Sequence, residues 1–193
     1  MRFLFHIPLC LFFFIIPADA NVSKDKLVQK VEQYFHQLKT YQADFMQVNP
    51  DNLVVRGKFY LQRPNKFRLD YLIPKKLVLL SDGTSFIEYD PKDNTTNLLS
   101  LDSTPAAILM KENIKLSGEI TVKQIQAMDN IIQVSLYRTD DPSLGSITLV
   151  FKENPMQLIH WYIYDAQGGM TEVALKNIRE NQKLPSDLFR IPQ

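Results

Sequence analysis

The chain lacks most of the residues that a metal site or a disulfide framework requires. Its 193 residues contain one cysteine, Cys10, and three histidines. Cys10 lies within the first twenty residues, so the rest of the chain has no thiol for zinc or for a disulfide. The two later histidines, His36 and His160, have no cysteine and no suitably spaced carboxylate near them in sequence. The sequence therefore predicts no metal site and no cofactor.

An excess of charge of either sign is also absent. Lysine and arginine number 22 against 21 acidic residues, for a formal net charge of +1. No basic cluster of the kind that binds nucleic acid or anionic lipid is present. No serine lies in a G-x-S-x-G nucleophile motif, and neither Asp82-Gly83 nor Gly168-Gly169 opens a helix as a phosphate loop would. The composition thus supports neither nucleic-acid binding nor catalysis.

Long apolar runs are missing except at the N-terminus. Residues 4–16 form an apolar run after Arg2, and Ala-Asp-Ala at 18–20 follows with the small-x-small pattern of a secretory signal peptide. The run is shorter than the roughly 20 residues that a membrane span requires. The residues before Cys10 are not those of a lipoprotein signal. We expect cleavage after residue 20 and a single exported domain, 21–193.

One helical stripe precedes a long series of alternating segments. Leu27, Val31 and Phe35 recur at helical spacing, which predicts a helix over 24–39 capped by Ser23. The alternating runs are 41–48, 53–63, 66–73, 76–81, 84–89, 94–101, 119–126, 131–138, 145–151, 158–165 and 170–178. Short strands with turn residues between them predict an antiparallel meander.

The segment 104–110 interrupts this pattern. Thr104 can cap a helix, Pro105 suits the first helical position, and apolar residues follow as far as Met110. A helix of one to two turns has little stability of its own and must rest on an apolar surface. The segment is therefore predicted to form a short lid that can lift at modest cost. The predicted lid residues are Pro105, Ala106, Ile108, Leu109 and Met110.

The alternation gives one face of the sheet many large apolar side chains. The residues predicted to face inward in the N-terminal half are Phe45, Phe59, Leu61, Phe67, Leu69, Tyr71, Val78, Leu80 and Phe86. The residues of the later strands expected to extend this lining are Val134, Leu136, Leu149, Phe151, Tyr162 and Tyr164. Two interpretations remain open. The face belongs either to a fully packed core, which the pattern alone favours, or to a curved sheet that encloses a lipid-sized cavity.

Residues 57–71, GKFYLQRPNKFRLDY, are the most informative stretch, because two alternating runs meet there at the Arg63-Pro64 corner. Four further elements follow in order: SDG (81–83), YDP (89–91), TPAAILM (104–110) and PSDLFRIP (185–192). This ordered set resembles the outer-membrane lipoprotein carrier (LolA) family of bacterial periplasmic proteins. The resemblance implies a mainly β, α+β fold: an unclosed, strongly curved antiparallel half-barrel whose N-terminal helix and short lid helices cover an apolar concave face. It also favours the cavity over the packed core, and makes 185–192 a C-terminal strand.

The same resemblance implies roles for individual residues. Arg63 aligns with an arginine that hydrogen-bonds to the lid and holds the empty cavity shut, and Phe67 with a phenylalanine at the cavity rim that receives cargo. On pattern alone, Arg63 would be a solvated surface charge and Phe67 a core aromatic. The remaining residues predicted to line the acyl cavity are Phe45, Phe59, Leu61, Leu69, Tyr71, Leu80 and Phe86.

The function implied is that of a monomeric periplasmic carrier. Such a carrier receives acylated lipoproteins from an inner-membrane, ABC-type releasing complex and delivers them to an outer-membrane acceptor or membrane. It needs no nucleotide, no nucleic acid and no catalytic residue. The lid-following segment 111–118 is shorter than in other members, which leaves open whether a separate acceptor is used. Three alternatives remain: a lipoprotein sensor of the same fold, a periplasmic binder of free lipid, and an enzyme acting on acyl esters.

Overall fold

The computed structural model describes residues 23–100 and 105–190. The predicted signal peptide with Cys10, and the predicted cap Thr104, lie outside these residues. The elements are a helix α1 (Lys24–Gln37), the strands β1 to β11, and short 3-10 helices at Pro105–Met110 and Pro142–Leu144. The strands are β1 (Thr40–Val48), β2 (Val54–Gln62), β3 (Lys66–Ile73), β4 (Leu77–Asp82), β5 (Phe86–Asp90), β6 (Thr95–Leu99), β7 (Ile120–Met128), β8 (Ile131–Arg138), β9 (Ser146–Lys152), β10 (Gln157–Tyr164) and β11 (Met170–Glu180).

The strands form one antiparallel sheet in the order β6-β5-β4-β3-β2-β1-β11-β10-β9-β8-β7. Two meanders, β1 to β6 and β7 to β11, meet where β1 pairs with β11. The outermost strands of the described sheet are β6 and β7, so it does not close into a barrel. This confirms the predicted fold class and the antiparallel meander.

Helix α1 covers the concave face of the sheet. Ser23 accepts a hydrogen bond from the Lys26 amide at 3.5 Å, as predicted for an N-cap. The helix ends at Gln37, earlier than expected, because Leu38 is extended and the chain turns directly into β1. The Lys39 amide donates instead to Asn181 Oδ1 at 2.7 Å.

The concave face carries the principal hydrophobic core. Tyr34, Phe35 and Phe151 pack edge to face, with ring centroids 5.3–5.8 Å apart. A smaller, separate cluster lies on the opposite face of β4 and β5 and consists of Val78, Leu80, Ile87 and Tyr89.

The inward orientation predicted for Val78 and Leu80 is wrong. Leu69, which packs against the principal core, is paired with Leu79, and cross-strand partners share a face of the sheet. Residues 77–80 are a continuous apolar run, so the sequence carries no alternation from which to read the face. Leu79 points inward and Leu80 outward.

The predicted C-terminal strand at 185–192 is also wrong over its described part. Residues 186–189 form a turn, in which the Leu188 amide donates to Pro185 O at 3.3 Å. The turn lies against the outer face, where Arg68 donates to the carbonyl oxygens of Leu188 at 2.8 Å and Arg190 at 3.3 Å. A charged side chain thus supplies the hydrogen bonds that a strand partner would have supplied.

Candidate functional site

An apolar pocket lies between the concave face of the sheet and the 3-10 helix Pro105–Met110, which we call the lid helix. Its volume is about 310 Å³, at the lower end of the range for small-molecule sites. Strands from both meanders and the lid helix supply the walls. The lining residues are Gln47, Phe59, Leu61, Phe67, Leu69, Tyr71, Leu79, Phe86, Ala106, Leu109, Met110, Trp161, Ile163, Thr171 and Val173. The space under the lid helix is therefore not filled by side chains.

Most of the predicted wall residues surround this pocket. Those that line it are Phe59, Leu61, Phe67, Leu69, Tyr71 and Phe86. Phe67 and Phe86 face each other with ring centroids 5.3 Å apart. Phe45 is buried in the same core but lies behind the wall, where its ring packs edge-on against Tyr71 at 5.3 Å. Leu80 lies on the other face and is not part of the wall.

The lid helix presents different residues to its two sides. Ala106 and Leu109, three residues apart, face the pocket together because side chains at this spacing eclipse in a 3-10 helix. Met110 joins them. Ala107 and Ile108 line a groove on the opposite side of the lid helix, and Ile108 is 1% exposed. Of the predicted lid residues, Ala106, Leu109 and Met110 thus contact the pocket, whereas Ile108 and the buried Pro105 pack elsewhere.

Arg63 joins the chain after the lid helix to the end of α1. Its Nη2 donates to the carbonyl oxygens of Lys111 at 2.6 Å and Glu112 at 2.9 Å, and its Nε donates to Lys111 O at 3.2 Å. Nη1 donates to Phe35 O, and the guanidinium lies 5.7 Å from the Phe35 ring centroid. The last carbonyls of a helix lack partners within it, so the five donors of an arginine suit this position.

The electrostatic environment of Arg63 is that of a partly buried cation. Burial lowers the pKa of its guanidinium from the ordinary value. Its hydrogen-bond partners are main-chain carbonyl oxygens, which carry partial negative charge only. The bonds to Lys111 and Glu112 have the geometry that the resemblance implies for a lid-holding arginine. Its effect on movement of the lid helix stays a prediction.

Tyr71 and Gln47 give the pocket a polar end, opposite the end where Arg63 lies. The Tyr71 hydroxyl donates to Gln47 Oε1 at 3.3 Å, and Gln47 Nε2 donates to Asn49 Oδ1 at 2.6 Å. Burial raises the pKa of Tyr71 to about 12, so the phenol is neutral at physiological pH. At this end, the adjacent hairpins β1–β2, β3–β4 and β10–β11 expose large apolar side chains. They are Leu53, Val54, Leu72, Ile73, Tyr164 and Met170.

The pocket offers hydrophobic contact rather than reactive groups. Within the described ranges, no group of three or more histidine, cysteine, aspartate or glutamate side chains is arranged to hold a metal ion. Nor does any helix in these ranges combine the length and hydrophobicity needed to cross a membrane. Aromatic and aliphatic side chains with one neutral phenol suit a hydrocarbon ligand.

Comparison with known proteins identifies the family. The family model described as outer membrane lipoprotein carrier protein LolA matches residues 36–192. The chain belongs to the LolA family. It is 27% identical to an outer-membrane lipoprotein carrier protein of Methylococcus capsulatus, covering 98% of this chain and 92% of that protein. It is 28% identical to a protein of the same name from Pseudomonas syringae, covering 92% and 88%.

The LolA fold is also seen in a solved structure. A LolA superfamily protein from Nitrosomonas europaea superposes with a TM-score of 0.50, covering 88% of this chain and 98% of that one. The sequence identity is 11%, so this likeness concerns the fold alone.

In the second meander the sequence prediction chose the wrong face of β10, because Tyr162 and Tyr164 were expected to extend the wall and neither lines the pocket. Trp161 and Ile163 on β10, and Thr171 and Val173 on β11, alternate with the period of two that would have placed them on one face. Trp161 is 4% exposed, and its ring lies edge-on to that of Phe59 with centroids 5.4 Å apart. The signal was present, but it needed the β1–β11 pairing to bring these strands opposite the lid helix.

Proposed function

We propose that this protein is a periplasmic carrier that shelters the acyl chains of lipoproteins between the inner and the outer membrane. The observation that carries the proposal is the apolar pocket beneath the lid helix, together with the hydrogen bonds from Arg63 to the carbonyl oxygens of Lys111 and Glu112, which directly follow that helix. The names of the curated relatives agree with it. In this proposal, the pocket binds hydrocarbon and the protein performs no catalysis.

The energetics explain why such a carrier is needed. Each buried methylene group contributes about 0.8 kcal/mol, so a long acyl chain in water is disfavoured by roughly 10 kcal/mol. A lipoprotein with several chains would cross an aqueous compartment extremely slowly without a binding partner. The pocket, near 310 Å³, accepts part of one chain with the lid helix in place. Displacement of Ala106, Leu109 and Met110 would extend the apolar surface.

Release depends on the lid helix. If the closed state is favoured in the empty protein, closing it competes with cargo and lowers the net affinity. Hydrogen bonds to a charged group contribute about 1.5–3 kcal/mol, enough to bias a short helix without locking it. Arg63 would therefore set how readily cargo leaves, and Phe67 at the pocket would receive the incoming chain.

The proposed route has two membrane partners. An inner-membrane, ABC-type complex would supply the lipoprotein, and an outer-membrane acceptor, or the membrane itself, would take it. The predicted signal peptide, 1–20, would bring residues 21–193 to the periplasm as one domain, which would act as a monomer. The protein itself would bind neither nucleotide nor nucleic acid.

A reconstitution experiment tests this function. Residues 21–193 are incubated with ATP and inner-membrane vesicles that carry the releasing complex and an acylated lipoprotein, and soluble lipoprotein is measured after the vesicles are sedimented. The variant Ala106→Phe places a ring in the pocket and should lower release at least several-fold. Ala107→Phe is the matched control, because Ala107 faces the groove on the opposite side of the lid helix.

The outcomes separate the alternatives. Soluble lipoprotein that depends on Ala106 supports the carrier, and failure of the wild type to solubilise lipoprotein refutes it. Mass spectrometry of organic extracts from the purified protein adds an independent comparison. Acylated peptide in the extract agrees with a carrier, whereas free phospholipid as the only bound species would indicate a lipid binder.

A further inference from the structure

A second hydrogen bond holds the lid helix, independently of the Arg63 side chain. The Asn65 amide donates to the carbonyl oxygen of Met110 at 3.0 Å. Met110 is the last residue of the lid helix, so its carbonyl has no partner further along that helix. Asn65 lies in the β2–β3 turn with a φ of 61°, a left-handed conformation that asparagine tolerates better than most residues. This conformation directs its amide toward the lid helix.

The orientation of Asn65 is fixed from the sheet by Ser81 on β4. The Ser81 hydroxyl donates to Asn65 O at 2.7 Å and accepts a hydrogen bond from the Gly83 amide at 3.3 Å. Ser81 is 2% exposed and, with Asp90, is one of two buried polar residues in the described ranges. A buried hydroxyl is costly unless it is hydrogen-bonded, and these two bonds satisfy it.

Ser81 also belongs to the pocket side of the sheet. It is paired with Phe67 on β3 and with Phe86 on β5, so the three residues form a row on one face. The rings of Phe67 and Phe86 line the pocket. The hydroxyl therefore links the pocket wall to the turn that holds the lid helix.

We propose that Ser81 is a positioning residue for the lid: by binding the Asn65 carbonyl oxygen it fixes the main chain at Asn65, so that the Asn65 N–H binds the Met110 carbonyl and favours the closed state. The β2–β3 turn then holds the lid segment through two residues, one on either side of Pro64. Arg63 binds the carbonyls of Lys111 and Glu112 through its side chain, and Asn65 binds that of Met110 through its backbone. The inference rests on the proposed function only in treating the lid helix as the cover of a binding site.

The Asn65 amide provides a direct test, because its exchange with solvent reports the opening of its bond to Met110. In Ser81→Ala, the turn loses one hydrogen bond, worth about 0.5–1.5 kcal/mol, so exchange at Asn65 should accelerate roughly 2- to 12-fold. Uptake of an environment-sensitive fluorescent fatty acid should accelerate in parallel. Ser81→Thr retains the hydroxyl and should restore exchange toward the wild-type rate.

A matched control separates lid control from general loss of stability. Ser135 also bonds through its hydroxyl, to Thr148 Oγ1 at 2.8 Å, but across β8 and β9. Ser135→Ala should leave exchange at Asn65 unchanged. Faster exchange at Asn65 with unchanged exchange in β9 supports the inference. Unchanged exchange at Asn65 in Ser81→Ala, or an equal acceleration throughout β9, would overturn it.

The same measurements keep this inference separate from the carrier proposal. If Ser81→Ala accelerates exchange at Asn65 but the wild type releases no lipoprotein from vesicles, the lid assignment stands and the carrier function falls. If lipoprotein is released but exchange at Asn65 does not respond to Ser81→Ala, the carrier function stands and the role assigned to Ser81 falls.

Discussion

Gly57 on β2 lies directly against the carbonyl oxygen of Asp70 on β3. A Cβ at position 57 would overlap that oxygen, and would also approach Cε1 of Phe45 to 2.7 Å. The register of the two strands shifts between Arg56 and Gly57, which marks an irregularity of the kind that bends a sheet. The absence of a side chain thus allows β2 and β3 to approach closely behind the wall of the pocket.

Gly57→Ala should therefore destabilise the fold strongly. The overlap involves backbone and a buried ring, which cannot move aside cheaply, so we expect a loss of roughly 3 kcal/mol or more in the free energy of unfolding. Urea unfolding followed by circular dichroism measures it. Gly118→Ala is the control: its Cβ would meet nothing within 4 Å, and its φ of 75° should cost only about 1 kcal/mol. Equal losses in both variants would contradict the packing argument.

Arg63→Leu should leave the fold intact and impair the release of cargo. Loss of the hydrogen bonds to Lys111 and Glu112 would favour the open lid, raise the affinity for acyl chains and slow hand-over to outer-membrane vesicles roughly 10- to 100-fold. Arg63→Lys should be nearly as defective, because a lysine ammonium group cannot place several donors in one plane as a guanidinium does. Arg56→Leu removes an exposed arginine on β2, the strand that precedes Arg63, and should behave like the wild type. Normal hand-over by Arg63→Leu would remove Arg63 from the mechanism.

His160 should make stability depend on pH in the mildly acidic range. Burial lowers its pKa below the ordinary 6.5, and the opposing effect of Glu172, 3.1 Å away, is smaller. The unfolded chain then binds the proton more readily than the folded protein does. The stabilisation is complete above pH about 6.5 and is lost as the pH falls toward the folded pKa. NMR titration of His160 gives that pKa, and His160→Gln should flatten the stability profile between pH 5 and 7. A measured pKa above 6.5 would reverse the sign.

The sequence predicted the strands well because alternation and turn residues are local signals. All eleven runs became strands, and their bounds moved by only a few residues. The predicted facing of side chains was wrong where the local signal was absent. The apolar run at 77–80 gave no indication that Leu79, rather than Leu80, faces the pocket. The C-terminal turn at 186–189 was equally hidden, because it depends on Arg68, more than a hundred residues earlier in the chain.

The site was less predictable than the fold. Pattern alone made Arg63 a surface charge, and only the resemblance to the LolA family indicated its contact with the lid segment. Ser81 belonged to the SDG element of the family resemblance, but nothing in the sequence gave it a role of its own, since an SDG turn occurs in many hairpins. Its role requires the register of β3, β4 and β5, which places a hydroxyl between two aromatic rings and beneath Asn65.

Strands β6 and β7 do not pair with each other, and this affects how far the curved sheet can widen. In a closed barrel, strand number and stagger fix the diameter, and widening it means breaking a ladder of hydrogen bonds. Here the perimeter has two free ends, so the arc can flatten or tighten while every strand keeps its neighbours. Under the proposed function, the protein would thereby accommodate acyl chains of different bulk without breaking any strand pairing in the pocket wall.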